Sequence, residues 1–127
     1  MDRRISVIHP SFGRPEQAVM CHHEWVMAET NHEEMEWIIS LSSNDPDADD
    51  YYRVFENEPV TIIVGDSTNM VQASNAAAER SQGDILVLVS DDMFPPIGWD
   101  TKLIERFDAY GDEPVVLQVF DGIGALS

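Results

Sequence analysis

Short apolar runs alternate with amphipathic segments along most of this chain. Five runs rich in Ile, Val and Leu, each bounded by turn-forming residues, predict strands at residues 5–9, 37–41, 60–64, 85–89 and 115–120. Apolar residues spaced three or four apart predict helices over about residues 15–29, 67–81 and 99–110. Residues 42–50 are dense in turn-formers and carboxylates, which favours a loop.

The alternation of strands and helices predicts a parallel sheet, because a parallel neighbour needs a crossover connection that is usually a helix. We therefore expect a Rossmann-like α/β fold with helices on both faces of a mostly parallel sheet, formed by residues 1–127 as a single domain. Ligands of such sheets bind beyond the carboxyl ends of the strands. The loops that start at those ends are expected to form one site; they are residues 11–14, 42–47, 65–69 and 90–93.

Composition narrows the choice of partners. The chain has 127 residues, and its 24 acidic against 7 basic residues give a net charge of −17, which opposes binding to nucleic acid or to anionic membranes. The longest apolar run, residues 85–89, is far too short to span a bilayer, and the first residues lack the pattern of a secretory signal, so we expect a cytoplasmic location. Lys102 is the only lysine, so anionic substrate groups must be met by arginine, backbone N–H groups or a metal.

The most informative feature is the pair Asp91-Asp92, which follows the apolar run at residues 85–89. A carboxylate at the edge of a hydrophobic sheet loses hydration, and a second one beside it adds repulsion that a bound cation relieves. Mg²⁺ and Mn²⁺ prefer such oxygens and often take further ligands from substrate phosphates and water. The pair predicts a metal-diphosphate site; the alternative is that both aspartates only solvate a turn or cap the next helix.

Other chemistry-bearing residues are assigned to packing or to the surface. Cys21 has no cysteine partner and is predicted to be a small core residue. His22 and His23 are adjacent on a helix and are expected to point to different faces, and His9 and His32 are expected to be packing or surface residues.

Three classes of protein are disfavoured by the order of the motifs. The chain has neither the serine elbow of α/β-hydrolases nor the phosphate loop of P-loop proteins. A signalling receiver domain would need an acidic pair after its first strand and a late lysine. This chain has His9-Pro10 after the first strand and no lysine beyond Lys102.

Two blocks of residues resemble the family 2 glycosyltransferases, which have the GT-A fold and use a nucleotide-sugar donor. The segment Ser6-Val7-Ile8-His9-Pro10-Ser11-Phe12-Gly13-Arg14-Pro15 is similar to the S-V-I-I-P-T-Y-N-R-P segment of that family. The second block has the order and spacing of the family and consists of Ala73-Ser74-Asn75, Gly83-Asp84, Ser90-Asp91-Asp92 and Gly98-Trp99. The resemblance implies a GT-A-like three-layer sandwich and covers about residues 5–107.

The resemblance also implies roles for individual residues. In the D-x-D motif of the family the last carboxylate coordinates Mg²⁺ or Mn²⁺, so Asp92 is expected to be the principal metal ligand and Asp91 the auxiliary one. Ser90, at the first position, is expected to hydrogen-bond the ribose. The residues expected to bind the nucleotide sugar are Pro10, Ser11, Arg14, Ser43, Asn44, Asp45, Asn75, Ser90 and Asp91.

Ser90 in place of the first aspartate of the D-x-D motif is one departure from the family, and two further departures limit what the resemblance implies. Ser42-Ser43 stands where the family often has a base-binding Asp-Asp pair, which leaves the donor base open, with Asn44 or Asp45 as substitutes. The general base of inverting members lies well beyond the metal motif, where Asp121 is the only late candidate. We therefore expect either part of a longer glycosyltransferase, acting on an unknown acceptor, or a non-catalytic nucleotide-sugar-binding module. The sequence does not indicate the oligomeric state.

Overall fold

The structure, a computed structural model, describes residues 5–29 and 35–110. The elements in chain order are β1 (Ile5–Pro10), α1 (Pro15–Met27), β2 (Met35–Ser42), α2 (Ala48–Val54), β3 (Thr61–Gly65), α3 (Met70–Arg80), β4 (Ile85–Leu88) and α4 (Trp99–Tyr110). The first four predicted strands and all three predicted helices are present, with ends that differ by a few residues. The strand predicted at 115–120 lies outside the described residues.

The described strands form one sheet in the order β3-β2-β1-β4, and every neighbouring pair is parallel. This arrangement confirms the expected α/β fold. The chain passes from β1 outward to β2 and β3, and then returns to the other side of β1 to form β4. The boundary between β1 and β4 is therefore the topological switch point, where the crossovers diverge and leave a crevice at the carboxyl ends of the strands.

Helices cover both faces of this sheet. The larger core joins alternate residues of the strands to side chains of α1, α2 and α4, among them Trp25, Tyr51 and Trp99. On the opposite face, Ala77 of α3 packs against Ile8 and Ile38. The small side chains of α3 let that helix lie close to the strands. None of the helices in the two described stretches is long and apolar enough to cross a membrane.

Helix α2 corrects the prediction that residues 42–50 form a loop, because this helix begins at Ala48. Asp49 and Asp50 occupy its first turn, where negative charge is stabilised by the helix dipole. Tyr51 and Phe55 are one turn apart and are 0% and 2% exposed, so they anchor one face of α2 in the core. The carboxylates of this segment therefore start a helix rather than only solvating a loop.

His22 of α1 is buried in this core between aromatic rings. Its ring packs edge-on against Trp37, with centroids 4.5 Å apart, and against Phe55 at 5.6 Å. Neither ring nitrogen has a hydrogen-bond partner within the described structure, although Glu58 Oε2 lies 3.7 Å from Nε2. Burial lowers the pKa of His22 to about 4, against the opposing effect of Glu58 and with smaller lowering effects from His23 and His9.

This burial predicts a specific loss of stability in acid. Unfolded His22 takes up a proton near its ordinary pKa of 6.5, but folded His22 does so only near a pKa of about 4. Between these values the unfolded state binds more protons, so stability falls as the pH falls, by up to about 1.4 kcal/mol per pH unit. His22→Phe keeps an aromatic ring and removes this proton uptake.

We expect urea denaturation to show that His22→Phe gains stability relative to the unsubstituted protein as the pH is lowered from about 7 to about 4.5. Carboxylates titrate in both proteins and cancel in the difference. A difference that does not change with pH would contradict the assignment of a neutral, buried imidazole.

Candidate functional site

The loops that follow the strands are tied together at one edge of the sheet. The amide of Ser11 donates to the carbonyl of Ser40 at 3.2 Å, which fixes the end of β1 to β2. The hydroxyl of Ser42 donates to the carbonyl of Ser67 at 2.7 Å, which joins the loops after β2 and β3. The residues after β4 reach the same edge, since Ser11 Oγ donates to Asp91 Oδ2 at 2.8 Å. The expected convergence of the four loops is therefore present.

Asp91 lies at the centre of this edge, and its side chain is only 2% exposed. His9 Nε2 lies 2.6 Å from Oδ1, and the hydroxyl of Ser11 donates to Oδ2. Arg14 Nε is 3.6 Å from Oδ2, but the Arg14 side chain is 52% exposed. Neutral donors from β1 and its following loop therefore satisfy this carboxylate at both oxygens, which offsets the loss of hydration on burial.

The hydrogen bonds around His9 define its tautomer. Trp37 Nε1 donates to His9 Nδ1 at 3.3 Å, and an indole N–H can only donate. Nδ1 must therefore accept, and the ring proton lies on Nε2, which donates to Asp91. We call these three residues the Trp37–His9–Asp91 triad; it joins β2, β1 and the loop after β4 at the switch point.

A second series of hydrogen bonds reaches Asp91 from α2. Tyr51 Oη lies 2.6 Å from Ser11 Oγ and accepts from the amide of Arg14 at 3.0 Å. Because the Ser11 hydroxyl proton is given to Asp91, the phenol of Tyr51 is the donor to Ser11. Burial, the largest effect, raises the pKa of Tyr51, so the phenol keeps the proton that this bond needs.

Asp92, in contrast, is exposed. Its Oδ1 accepts from the hydroxyl of Ser90 at 2.9 Å. Within the described ranges, no three His, Cys, Asp or Glu side chains are grouped so as to enclose a metal ion. Mg²⁺ is commonly held by one or two carboxylates together with substrate phosphates and water, and carboxylates suit Mn²⁺ as well. The open carboxylate of Asp92 fits such a cation when the substrate supplies further ligands.

Cys21 lies beneath this loop and is chemically inert. Its Sγ is 3.4 Å from the carbonyl oxygen of Ser90. Burial, with smaller contributions from Asp91 and Asp92, raises the pKa of the thiol to about 12. Cys21 therefore stays a protonated core residue, as the sequence predicts, and is excluded as a nucleophile.

Asp45 has a structural part in the loops. Its Oδ2 accepts from the amide of Gly13 at 2.7 Å, and its Oδ1 accepts from the amide of Asp47 at 2.8 Å. Gly13 has φ of 69°, a left-handed conformation that glycine adopts without strain. Asp45 is buried, so it joins the loop after β1 to the loop after β2 rather than facing an open site.

A cavity of about 390 Å³ opens beside these loops, beyond the ends of β1, β2 and β3. Its walls carry hydroxyl, amide and apolar side chains; they are Ser11, Phe12, Ser42, Asn44, Ser67, Thr68, Asn69, Met70 and Ala73. Asn69 also caps α3, since its Oδ1 accepts from the amide of Gln72 at 2.9 Å. The cavity is bounded by three of the four loops that the sequence predicts to form the site; residues 90–93, the fourth loop, are not among those that line it.

The remaining residues that the sequence predicts to form the site are not among those that line this cavity. Ser43 is exposed and donates from its hydroxyl to Asp66 at 3.1 Å, and Asn75 is exposed on α3; neither is among the residues that line the cavity. Pro10 is buried at the end of β1. Asp121, the candidate general base, lies outside the described residues.

Arg14 Nε lies 3.6 Å from Asp91, whereas Glu16, at the start of α1, accepts from Arg53 at 3.0 Å. Trp99 is buried, with its indole nitrogen donating to the carbonyl of Trp25 at 2.9 Å, so it is part of the core.

The comparison with protein families assigns the chain to a class. The model described as glycosyl transferase family 2 matches residues 6–125, most of the chain. The chain therefore belongs to glycosyl transferase family 2, which confirms the resemblance. Comparison with proteins of curated function gives no significant sequence match.

Solved structures confirm the GT-A-like fold. One is the mannosyltransferase PcManGT from Pyrobaculum calidifontis in complex with GDP-Man and Mn²⁺, with a TM-score of 0.70 and 16% identity; the match covers 92% of this chain and 34% of that chain. Another is S. aureus TarS 1–349, with a TM-score of 0.70 and 12% identity, covering 91% and 38% respectively. The chain thus spans little more than a third of the length of these proteins, and the likeness concerns the fold.

Three residues of the site have no functional part in the sequence prediction. His9 is expected from the sequence to be a packing or surface residue, and neither Trp37 nor Tyr51 is assigned to the site there. A histidine inside an otherwise apolar strand, immediately before the site loop, is the signal that points to a partnered polar group, because buried polar atoms need partners. Which partners these are depends on the register of three strands.

The contacts of Asp45 predict that it stabilises the loops. Asp45→Ala leaves the amides of Gly13 and Asp47 without their acceptors, and we expect a loss of about 1–3 kcal/mol in the free energy of unfolding, measured with urea. Glu56→Ala, which removes an exposed carboxylate just beyond the end of α2, should change stability by no more than about 0.5 kcal/mol. Equal effects of the two substitutions would show that Asp45 does not join the loops.

Proposed function

We propose that this chain is the donor-binding part of a glycosyltransferase that transfers a sugar from a nucleotide-diphosphate sugar to an acceptor with the aid of Mg²⁺ or Mn²⁺. The observation that carries the proposal is that Asp91 and Asp92 follow β4 at the switch point, and that Ser11, which donates to Asp91, also lines a cavity of about 390 Å³, in a member of glycosyl transferase family 2. Ligands of open parallel sheets bind at this position. The proposed domain is residues 1–127, and a cytoplasmic location stays a prediction from the sequence.

The cation is assigned to Asp92, whose carboxylate is exposed and contacted by Ser90. When bound, the cation supplies Lewis-acid stabilisation of the negative charge on the departing diphosphate. Asp91, predicted as an auxiliary ligand, contributes charge from beneath the site, because its oxygens accept from His9 and Ser11 and its side chain is buried. Ser90, whose hydroxyl donates to Asp92, is assigned to the ribose of the bound donor.

We assign the side chain of Arg14 to contact the phosphates of the donor. Its backbone is held by Tyr51, while its guanidinium is half exposed and 3.6 Å from Asp91. A planar guanidinium on an anchored backbone can hydrogen-bond two phosphate oxygens at once. Lys102, the only lysine, lies on α4, so it does not substitute for Arg14 in the loop.

The base of the nucleotide is assigned to the cavity. Phe12 and Met70 give it apolar walls, while Asn44 and Thr68 present groups that can both donate and accept hydrogen bonds. Among the described residues that line it there is no carboxylate. Recognition of the nucleobase is therefore assigned to amide and hydroxyl groups. Asn44 rather than Asp45 is the residue assigned to contact it, because the carboxylate of Asp45 accepts from backbone amides.

We keep Asp121 as the proposed general base.

The first test measures cation-dependent nucleotide binding. Calorimetry with Mn²⁺ and UDP or GDP should show binding by the unsubstituted protein. Asp92→Asn should weaken it by at least about tenfold while leaving the free energy of unfolding unchanged, because Asp92 is exposed. Asp49→Asn removes the same charge from an exposed position on α2 and should bind normally.

Equal binding by Asp92→Asn and Asp49→Asn would contradict the assignment of the cation to Asp92. Release of free nucleotide from UDP- or GDP-sugars would separate a transferase from a module that only binds the donor.

The second test concerns the base. Asn44→Ala should weaken nucleotide binding about five- to tenfold, the loss of roughly one hydrogen bond, without changing the affinity for Mn²⁺ alone. Asn57→Ala, at an exposed position near the end of α2, is the matched control and should have no effect. If both variants bind like the unsubstituted protein, the cavity does not hold the base through Asn44.

A further inference from the structure

We propose that His9 and Trp37 are positioning residues for the cation site: Trp37 holds His9 in its Nε2–H tautomer, and His9 holds Asp91 as a buried anion beside Asp92. This inference rests on the proposed function, because it assigns a role to residues that support the proposed cation site. Neither residue is expected to touch the cation or the substrate.

The first step is the geometry of the triad. His9 is 0% exposed, so its ring nitrogens depend on protein partners. Trp37 donates to Nδ1 at 3.3 Å, and Nε2 lies 2.6 Å from Asp91 Oδ1. The rings of His9 and Trp37 also pack edge-on, with centroids 5.7 Å apart and an interplanar angle of 73°. The position of the His9 ring is therefore fixed on both sides.

The geometry of the triad leaves a negative charge on Asp91. In the tautomer fixed by Trp37, His9 donates as a neutral group, and Ser11 is also a neutral donor. The nearest cation, Arg14, is 3.6 Å away and half exposed, so solvent screens it. Hydrogen bonds from neutral donors stabilise the carboxylate but do not cancel its charge.

The charge of Asp91 affects the binding of a cation at Asp92. The buried charge of Asp91 lies one residue from the exposed carboxylate of Asp92, and its field is weakly screened because the side chain is only 2% exposed. Two adjacent carboxylates repel each other until a divalent cation relieves the repulsion. The triad thus raises the affinity of the exposed site for a cation by keeping a second negative charge fixed on the neighbouring residue.

The triad is tested first by the ¹⁵N NMR spectrum of histidine in the full 127-residue chain. We expect His9 to show an unprotonated Nδ1 and a protonated Nε2. In Trp37→Phe, the donor to Nδ1 is lost, and the signals should shift toward a mixture of tautomers. A protonated Nδ1 in the unsubstituted protein would overturn the inference, whatever the binding results.

Cation binding is tested with Mn²⁺ alone, followed by electron paramagnetic resonance. His9→Leu removes the donor to Asp91 and should weaken Mn²⁺ binding by about tenfold, the usual scale for groups that orient a metal site. His9→Gln can donate to Asp91 and accept from Trp37, so it should recover most of the affinity. Trp37→Phe should lie between His9→Leu and the unsubstituted protein.

The control is His22→Phe, which changes another buried histidine that packs on Trp37 but makes no contact with Asp91 in the described structure. It should bind Mn²⁺ normally, and near-ultraviolet circular dichroism should show that each variant keeps its tertiary packing. Normal Mn²⁺ binding by a folded His9→Leu protein would overturn this inference and leave the proposed function intact. Absence of Mn²⁺ binding by the unsubstituted protein, with and without GDP or UDP, would overturn both.

Discussion

The structure of the site depends on one buried carboxylate, that of Asp91, at the junction of β1 and β4. Burying an ionised group is costly unless each oxygen finds a donor. Here His9 satisfies one oxygen and Ser11 the other. Because Trp37 supports His9 and Tyr51 supports Ser11, this carboxylate connects β1, β2, α2 and the loop after β4. The crevice at the switch point is thereby held in one arrangement before any ligand binds.

Asp91 and Asp92 are adjacent but have different surroundings, and this difference determines the chemistry of the proposed site. Asp91 is enclosed and fixed, whereas Asp92 is open to solvent and contacted by Ser90. In the proposed function the open carboxylate binds the cation and the enclosed one supplies a stationary charge. The net charge of −17 is consistent with these two roles. A chain this acidic needs positive charge in order to bind a diphosphate, and a bound divalent ion and Arg14 provide it.

The sequence predicts the fold well because periodicity and turn residues define most elements. The apolar runs at β1 to β4 and the spacing of Trp99 and Leu103 on α4 are local signals. Helix α2 is missed because its acidic first turn has the composition of a loop, while the pair Tyr51 and Phe55 shows its buried face only once α2 packs against α1. The site loops follow in turn from the carboxyl ends of the predicted parallel strands, and the structure brings these loops together.

The partners of individual site residues could not be predicted, because they depend on register and loop geometry. His9 pairs with Ile39 along the ladder, so the position of Trp37 diagonal to it follows from the alignment of β1 with β2. Asp45 resembles a base-binding carboxylate in sequence, but the close approach of Gly13 gives it backbone amides to bind. Whether a residue binds a ligand or supports the fold therefore depends on how the loops are arranged in the folded protein.

The central claim is that a cation and a nucleotide meet at the end of β4, between Asp92 and the cavity. Paramagnetic broadening of backbone amide signals by Mn²⁺, with GDP or UDP present, tests this most directly. We predict strong broadening at residues 90–92 and in the loop at 11–14, with little effect on the acidic segment at 47–50. Broadening centred on residues 47–50, or spread evenly over the acidic surface, would contradict the account.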